Sequence, residues 1–134
     1  MYSFSKEERL CSIKLIDKLY HNGSSFLVYP FRIVWMREPL DSKNPAQVLI
    51  SVPKKKFKRA VDRNLLKRRI REVYRRQKSE HLYQFLEEHS STIIFSINYI
   101  GNEIGEYMFI EKKFHAALVK LKKAYLDDYV GKAN

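Results

Sequence analysis

The chain has 134 residues, 45% of them hydrophobic and 13% aromatic, and a formal net charge of +11. That apolar content excludes a disordered basic tail, and the length suits one domain able to bury about two thirds of its unfolded surface. Cys11 is the single cysteine, which excludes an internal disulfide and a cysteine-built zinc site; no apolar run reaches the about 18 residues of a membrane span, and MYSFSKEERL lacks the apolar core of a signal peptide.

Ser5 reads as an N-cap, with Glu8 at the reciprocal capping-box position and Glu7 beside it at the positive end of a helix dipole. Ile13, Ile16 and Tyr20, flanked by Leu15 and Leu19, keep helical spacing until Asn22-Gly23, so a first helix is expected over about 6–21. Phe26 to Tyr29 is a short strand that Pro30 ends or confines to a sheet edge. Phe31 to Met36 sets Phe31, Ile33 and Trp35 against Arg32, Val34 and Met36, a strand with both faces at least partly covered. After the polar loop Glu38 to Pro45, Gln47 to Val52 is almost continuously apolar and reads as a central strand closed by Pro53.

Residues 54–78 then carry thirteen Lys and Arg against Asp62 and Glu72, which accounts for the whole net charge of +11. At the helical period, Leu66, Ile70 and Val73 share one stripe with Leu65 and Tyr74 at its flanks, while Asn64, Lys67, Arg68, Arg71 and Arg75 fall on the other side. Neighbouring cations at i, i+3 and i+4 repel by roughly a few tenths of a kcal/mol per pair, and only two carboxylates are at hand to relieve them. A bound polyanion offsets that cost, so this stretch points to RNA or DNA.

Beyond it, Lys78-Ser79-Glu80 marks a break, and Leu82, Phe85 and Leu86 between His81 and His89 continue at helical spacing, as a bent extension or a separate short helix. Thr92 to Ile100 is a β-branched strand ending at Gly101. Ile104 to Asp127 is a long amphipathic helix with Ile110, Phe114, Ala117, Leu118 and Leu121 inside and Lys112, Lys113, Lys120, Lys122 and Lys123 in water; residues 131–134 read as a frayed tail. The order is helix, three strands, helix, strand, helix. It predicts an α+β sandwich in a single RNA-binding domain over 1–134, about four strands with one core layer between sheet and helices.

The run Lys58-Arg59-Ala60-Val61-Asp62-Arg63-Asn64-Leu65-Leu66-Lys67-Arg68-Arg69-Ile70-Arg71-Glu72 resembles the Arg-Asn-Arg signature helix of the bacterial ribonuclease P protein subunits, with Arg63-Asn64, Lys67-Arg68 and Arg71 at the signature spacing. The resemblance implies a left-handed crossover from strand through helix to strand, against the usual right-handed rule. It implies a catalytic RNA subunit as partner, with Mg2+ at the RNA's active site, and precursor tRNA as substrate, gripped by its 5′ leader in the bacterial cytoplasm. No cofactor and no catalytic residue are then expected in the protein itself, and no obligate protein partner. The RNA-binding set it implies is Lys54, Lys55, Lys56, Lys58, Arg59, Arg63, Asn64, Lys67, Arg68, Arg71 and Arg75, with Ser51 opening a Ser-x-x-Lys-Lys pattern. Seven phosphate contacts would give a salt slope of about −5. The family's leader cleft lies between first helix and sheet; where two phenylalanines one turn apart are usual, this chain has Leu15 and Leu19, with Tyr20 adjacent. A leucine cannot stack a base, a contact worth about 1–3 kcal/mol, so either Tyr20, Phe31 or Trp35 supplies the stack or the grip on the leader is weaker.

Other chemistry finds little support. His21, His81, His89 and His115 are scattered, the serines lack a nucleophile elbow, and four glycines form no phosphate-binding loop. A leucine-zipper factor would need heptads after the basic region, and a metal-dependent nuclease would need clustered carboxylates near it. A structural, ribosomal-protein-like RNA binder of the same fold class stays open as the alternative.

Overall fold

Each apolar run of the sequence becomes a strand of one four-stranded sheet in the computed structural model, which describes the backbone of residues 4–133 and the side chains through 128. The strands are β1 (Ser24–Val28), β2 (Phe31–Arg37), β3 (Ala46–Ser51) and β4 (Ile93–Tyr99), ordered β1-β2-β4-β3. β2 pairs antiparallel with both β1 and β4, whereas β3 runs parallel to β4, so the sheet is mixed. The parallel pair is joined through α2 (Ala60–Lys78), which places the basic helix directly after the strand carrying Ser51.

The period-2 alternation of β2 sorts two layers. Phe31, Ile33 and Trp35 face α2 and the long helix α4 (Tyr107–Ala133), joining Leu66, Ile70, Val73, Tyr74, Ile110, Phe114 and Leu121 in the main core. Val34 and Ile94 point the other way and are covered by Leu10 and Leu19, the latter from α1 (Ile13–Asn22). The sheet is thus buried on both faces, and the expected single core layer is two layers, one large and one small.

Two elements differ from the sequence reading, and a third takes one of its two expected forms. The capping signal at Ser5 is present, with the Ser5 N–H donating to Glu8 at 2.6 Å, but it opens one 3-10 turn, Lys6–Glu8, rather than a helix reaching residue 21. The chain extends at Arg9 and Leu10, and a second cap, Ser12, accepts from the Leu15 N–H at 3.2 Å to start α1. β3 is an edge strand, not a central one: its apolar run reflects two covered faces, and its outer edge is blocked by the Arg9 bridge and by the Leu10 N–H, which donates to Val48 O at 2.9 Å. At Ser79 the helix does not stop. A π turn, Ser79–Tyr83, carries it into α3 (Gln84–Glu88) and keeps Leu82 and Leu86 buried, which is the bent continuation. The tail expected at 131–134 lies outside the residues whose side chains are described.

Candidate nucleic-acid interface

The loop before α2 is shaped by one buried ring. Phe57 packs against Tyr99, ring centroids 5.9 Å apart, and its N–H donates to Pro53 O at 3.2 Å, closing a turn that leaves Lys54, Lys55, Lys56, Lys58 and Arg59 exposed. Lys56 donates to Ile100 O at 2.5 Å, and Arg63 locks the loop to the helix by donating to Phe57 O at 2.8 Å and Lys58 O at 2.9 Å.

The cations of α2 fall into two groups. One group is held by the protein: Arg69 donates to Gly105 O at 2.7 Å, and Arg75 and Arg76 share Glu72, Arg75 through two bonds of 3.0 and 2.6 Å. Hydrogen bonds from Arg75 and then Arg76 pull the Glu72 carboxyl down to about 2. Lys67, Arg68 and Arg71 meet no protein acceptor among the described residues. Together with Asn64 they line an open depression of about 600 Å³ that contains Asp62 as its one acid. Of the expected RNA-binding set, the structure therefore gathers Asn64, Lys67, Arg68 and Arg71 on one surface next to the loop lysines, turns Arg63 to loop closure, and commits Arg75 to Glu72.

Lys78, counted with the basic stretch in the sequence, is turned inward. It pairs with the buried Glu8 inside a box formed by Phe4, Tyr74 and Tyr83, its ammonium 5.5–6.0 Å from the three ring centroids. Tyr83 donates to Glu8 at 2.7 Å, and Tyr74 and Tyr83 hydroxyls meet at 3.3 Å. Burial alone would push the Glu8 carboxyl up; the bonds from Lys78, Tyr83 and Ser5 outweigh it and hold the group below its ordinary value. Burial pushes the Tyr74 and Tyr83 hydroxyls up, so both remain donors. Nothing in the local sequence around Lys78 signals this; the apolar stripe continuing one turn past Tyr74 was the available hint.

On the opposite face of the sheet, α1 covers only part of the surface. Strand register sets Leu27, Arg32, Asn98 and Ser51 in one row across all four strands. Tyr20 donates to Asn98 Oδ1 at 2.9 Å, and Asn98 donates to Ser96 Oγ at 2.9 Å and Arg32 O at 3.1 Å, which fixes the exposed Tyr20 ring over the row. Three of the leader-cleft candidates do not reach this surface. Phe31 and Trp35 point into the main core and Leu19 is fully enclosed under α1, so none offers a face to a base. Leu15 packs half-buried at the edge of the small core, and Ser51 and Tyr20 remain at the open surface. Arg32 and Asn98 were missed; the strand alternation that places Arg32 opposite Ile33 carried that signal.

A mixed sheet backed by helices, with uncompensated cations along one helix flank and aromatic and polar groups on the opposite sheet face, defines a nucleic-acid-binding protein of the α+β class. The protein-family model described as Ribonuclease P matches residues 4–99, from the N-terminal turn to the end of β4, and the chain belongs to that family, whose role lies in maturation of the tRNA 5′ end. A Ribonuclease P protein component from Porphyromonas gingivalis is 33% identical over 122 residues, which is 90% of this chain and 87% of the relative. Among solved structures, the RNase P protein of Staphylococcus aureus superposes with a TM-score of 0.66 at 21% identity, covering 87% of this chain and 95% of that one. The RNase P protein of Thermotoga maritima gives 0.64 at 20% identity, covering 83% and 94%. These two likenesses establish a shared fold.

Proposed function

We propose that this chain is the protein subunit of a ribonuclease P particle in which the RNA subunit performs the cleavage. In this reading the Asn64, Lys67, Arg68 and Arg71 flank of α2, extended by Lys54 and Lys55, binds the RNA subunit, and the row under Tyr20 receives the 5′ leader of precursor tRNA. In this reading magnesium belongs to the RNA's active site; among the described residues no group of three or more His, Cys, Asp or Glu is placed to hold a metal. No helix among the described residues is long and apolar enough to cross a membrane, and we place the particle in the bacterial cytoplasm.

The observation that carries the reading is the split among the α2 cations. A merely solvated basic helix would pair its charges wherever carboxylates allow. Here Glu72 takes up Arg75 and Arg76 and Glu8 takes up Lys78, while the adjacent Lys67, Arg68 and Arg71 converge on one depression whose single carboxylate, Asp62, bonds none of them. Arg forks suit paired phosphate oxygens, and Lys suits a point contact. Tyr20 supplies a stacking plane that needs no particular base.

The test is affinity of the assembled particle for precursor tRNA carrying or lacking its leader. A leader-dependent gain that disappears in Tyr20→Ala supports the assignment. Equal affinity for both substrates refutes the leader role of the sheet face.

A further inference from the structure

The N-terminal residues before α1 form a strap whose position is set by several contacts. Phe4 stands edge-on to Tyr74 with centroids 5.6 Å apart, Glu8 is paired with Lys78, Leu10 is buried, and the Leu10 N–H donates to Val48 O at 2.9 Å. Between this strap, the outer edge of β3 and α2 runs a groove of about 240 Å³, lined among others by Phe4, Arg9, Cys11, Ile50, Lys67 and Arg71, with no carboxylate among its lining residues. Arg9 is exposed and lies over the Phe4 ring at 5.2 Å. Lys67 and Arg71 line both this groove and the larger depression on α2, so the two form one cationic track rather than separate pockets.

We infer that the strap, residues 4–11, is the second wall of an RNA-binding groove in which Arg9 joins Lys67 and Arg71 on the phosphodiester backbone of the ribonuclease P RNA subunit. The inference rests on the reading of α2 proposed above and extends it to a segment distant in sequence. Three cations without an acid fit a polyanion, and the open, continuous track fits a chain of phosphates better than a small anion. The strap is already held in place by the buried Glu8–Lys78 pair and the Phe4 ring, so Arg9 is presented with little ordering cost on binding. The RNA subunit is favoured over the leader because the groove shares its cations with α2, whereas Tyr20 lies on the sheet face covered by α1.

Cys11 provides a direct reporter, since it is exposed on the groove wall and is the only cysteine in the chain. N-ethylmaleimide alkylation of Cys11 is measured in the free protein, with saturating RNA subunit, and with precursor tRNA alone. In parallel, salt slopes for RNA-subunit binding are compared for wild type, Arg9→Ala and Arg68→Ala. Protection of Cys11 by the RNA subunit alone, with the Arg9→Ala slope shallower by about one unit, is the expected result. Cys11 reacting at its free rate in the saturated complex, protection by precursor tRNA alone, or an unchanged Arg9→Ala slope overturns the inference. If Arg68→Ala lowers the slope in that case, the α2 reading survives; if neither variant does, that reading falls as well.

Discussion

Replacing Lys78 by Met should cost this protein more than removing any other cation of its basic helix, although by sequence Lys78 is merely one of thirteen in that stretch. The side chains of Lys78 and Glu8 are 4% and 3% exposed, and removing one partner of a buried pair costs about 3–5 kcal/mol. Tyr83 and the Ser5 N–H still bond Glu8 in the variant, which argues for the lower end, about 3 kcal/mol, or a melting temperature lower by about 10 °C for a domain of this size. The pH profile should also change sign. In the wild type the folded Glu8 carboxyl sits below its ordinary value of 4.5, so the unfolded chain binds more protons; the stabilisation is complete above 4.5 and is lost as pH falls through the lowered value. Without Lys78, burial dominates and raises the folded value, so the contribution is lost as pH rises instead. Urea titrations of wild type, Lys78→Met and the double variant Glu8→Gln with Lys78→Met, at several pH values, measure both effects. The double variant should recover most of the loss, because no buried charge remains. A single variant within about 1 kcal/mol of wild type, with the same pH profile, would refute the reasoning.

Single alanine variants of Lys67, Arg68 and Arg71 should each make the salt slope for RNA-subunit binding shallower by about 0.7–0.9 with little change in melting temperature, whereas Arg69→Ala should do the reverse by losing its bond to Gly105. Glu72→Gln should steepen that slope by up to about one unit by releasing Arg76 and one acceptor of Arg75. In urea titrations the same variant should lose the part of acid sensitivity between pH 4.5 and about 2, because a carboxyl depressed in the folded state stabilises above its unfolded value and ceases to as pH falls through the folded one. Tyr20→Ala should weaken binding of leader-bearing precursor by about 1–3 kcal/mol while Tyr20→Phe, which loses only the bond to Asn98, costs about 0.5–1.5 kcal/mol in equilibrium binding. Leu19→Ala should instead cost about 2–5 kcal/mol in urea unfolding and leave leader discrimination intact in the folded protein, because Leu19 is wholly enclosed.

Much of this organisation was legible in the residues. The spacing of Leu66, Ile70 and Val73 identified the buried stripe of the basic helix, and the alternation of Phe31 to Met36 identified a strand covered on both sides. Periodicity failed where it could not carry direction. The apolar run of β3 reported that both faces are covered, which an edge strand shares with a central one once a segment such as Arg9–Leu10 lies along its border. The Ser5–Glu8 box points to the start of a long helix because the apolar spacing resumes at Ile13; the second cap, Ser12, marks the interruption. Leu19 and Tyr20 are adjacent in sequence and about 100° apart on α1, so one turns into the small core and the other over Asn98. Charge counting cannot distinguish Lys78 in an aromatic box from Arg68 in solvent, because partners distant in the chain decide the difference.

The most direct measurement is cleavage of a labelled precursor tRNA at low magnesium by the purified protein, by the long RNA subunit from the same source, and by the two together. The account predicts efficient release of the 5′ leader only by the combination, with loss of that gain when Lys67, Arg68 and Arg71 are together replaced by alanine. Cleavage by the protein alone would contradict it, placing an active site on a chain whose surface has been read as holding RNA rather than cutting it.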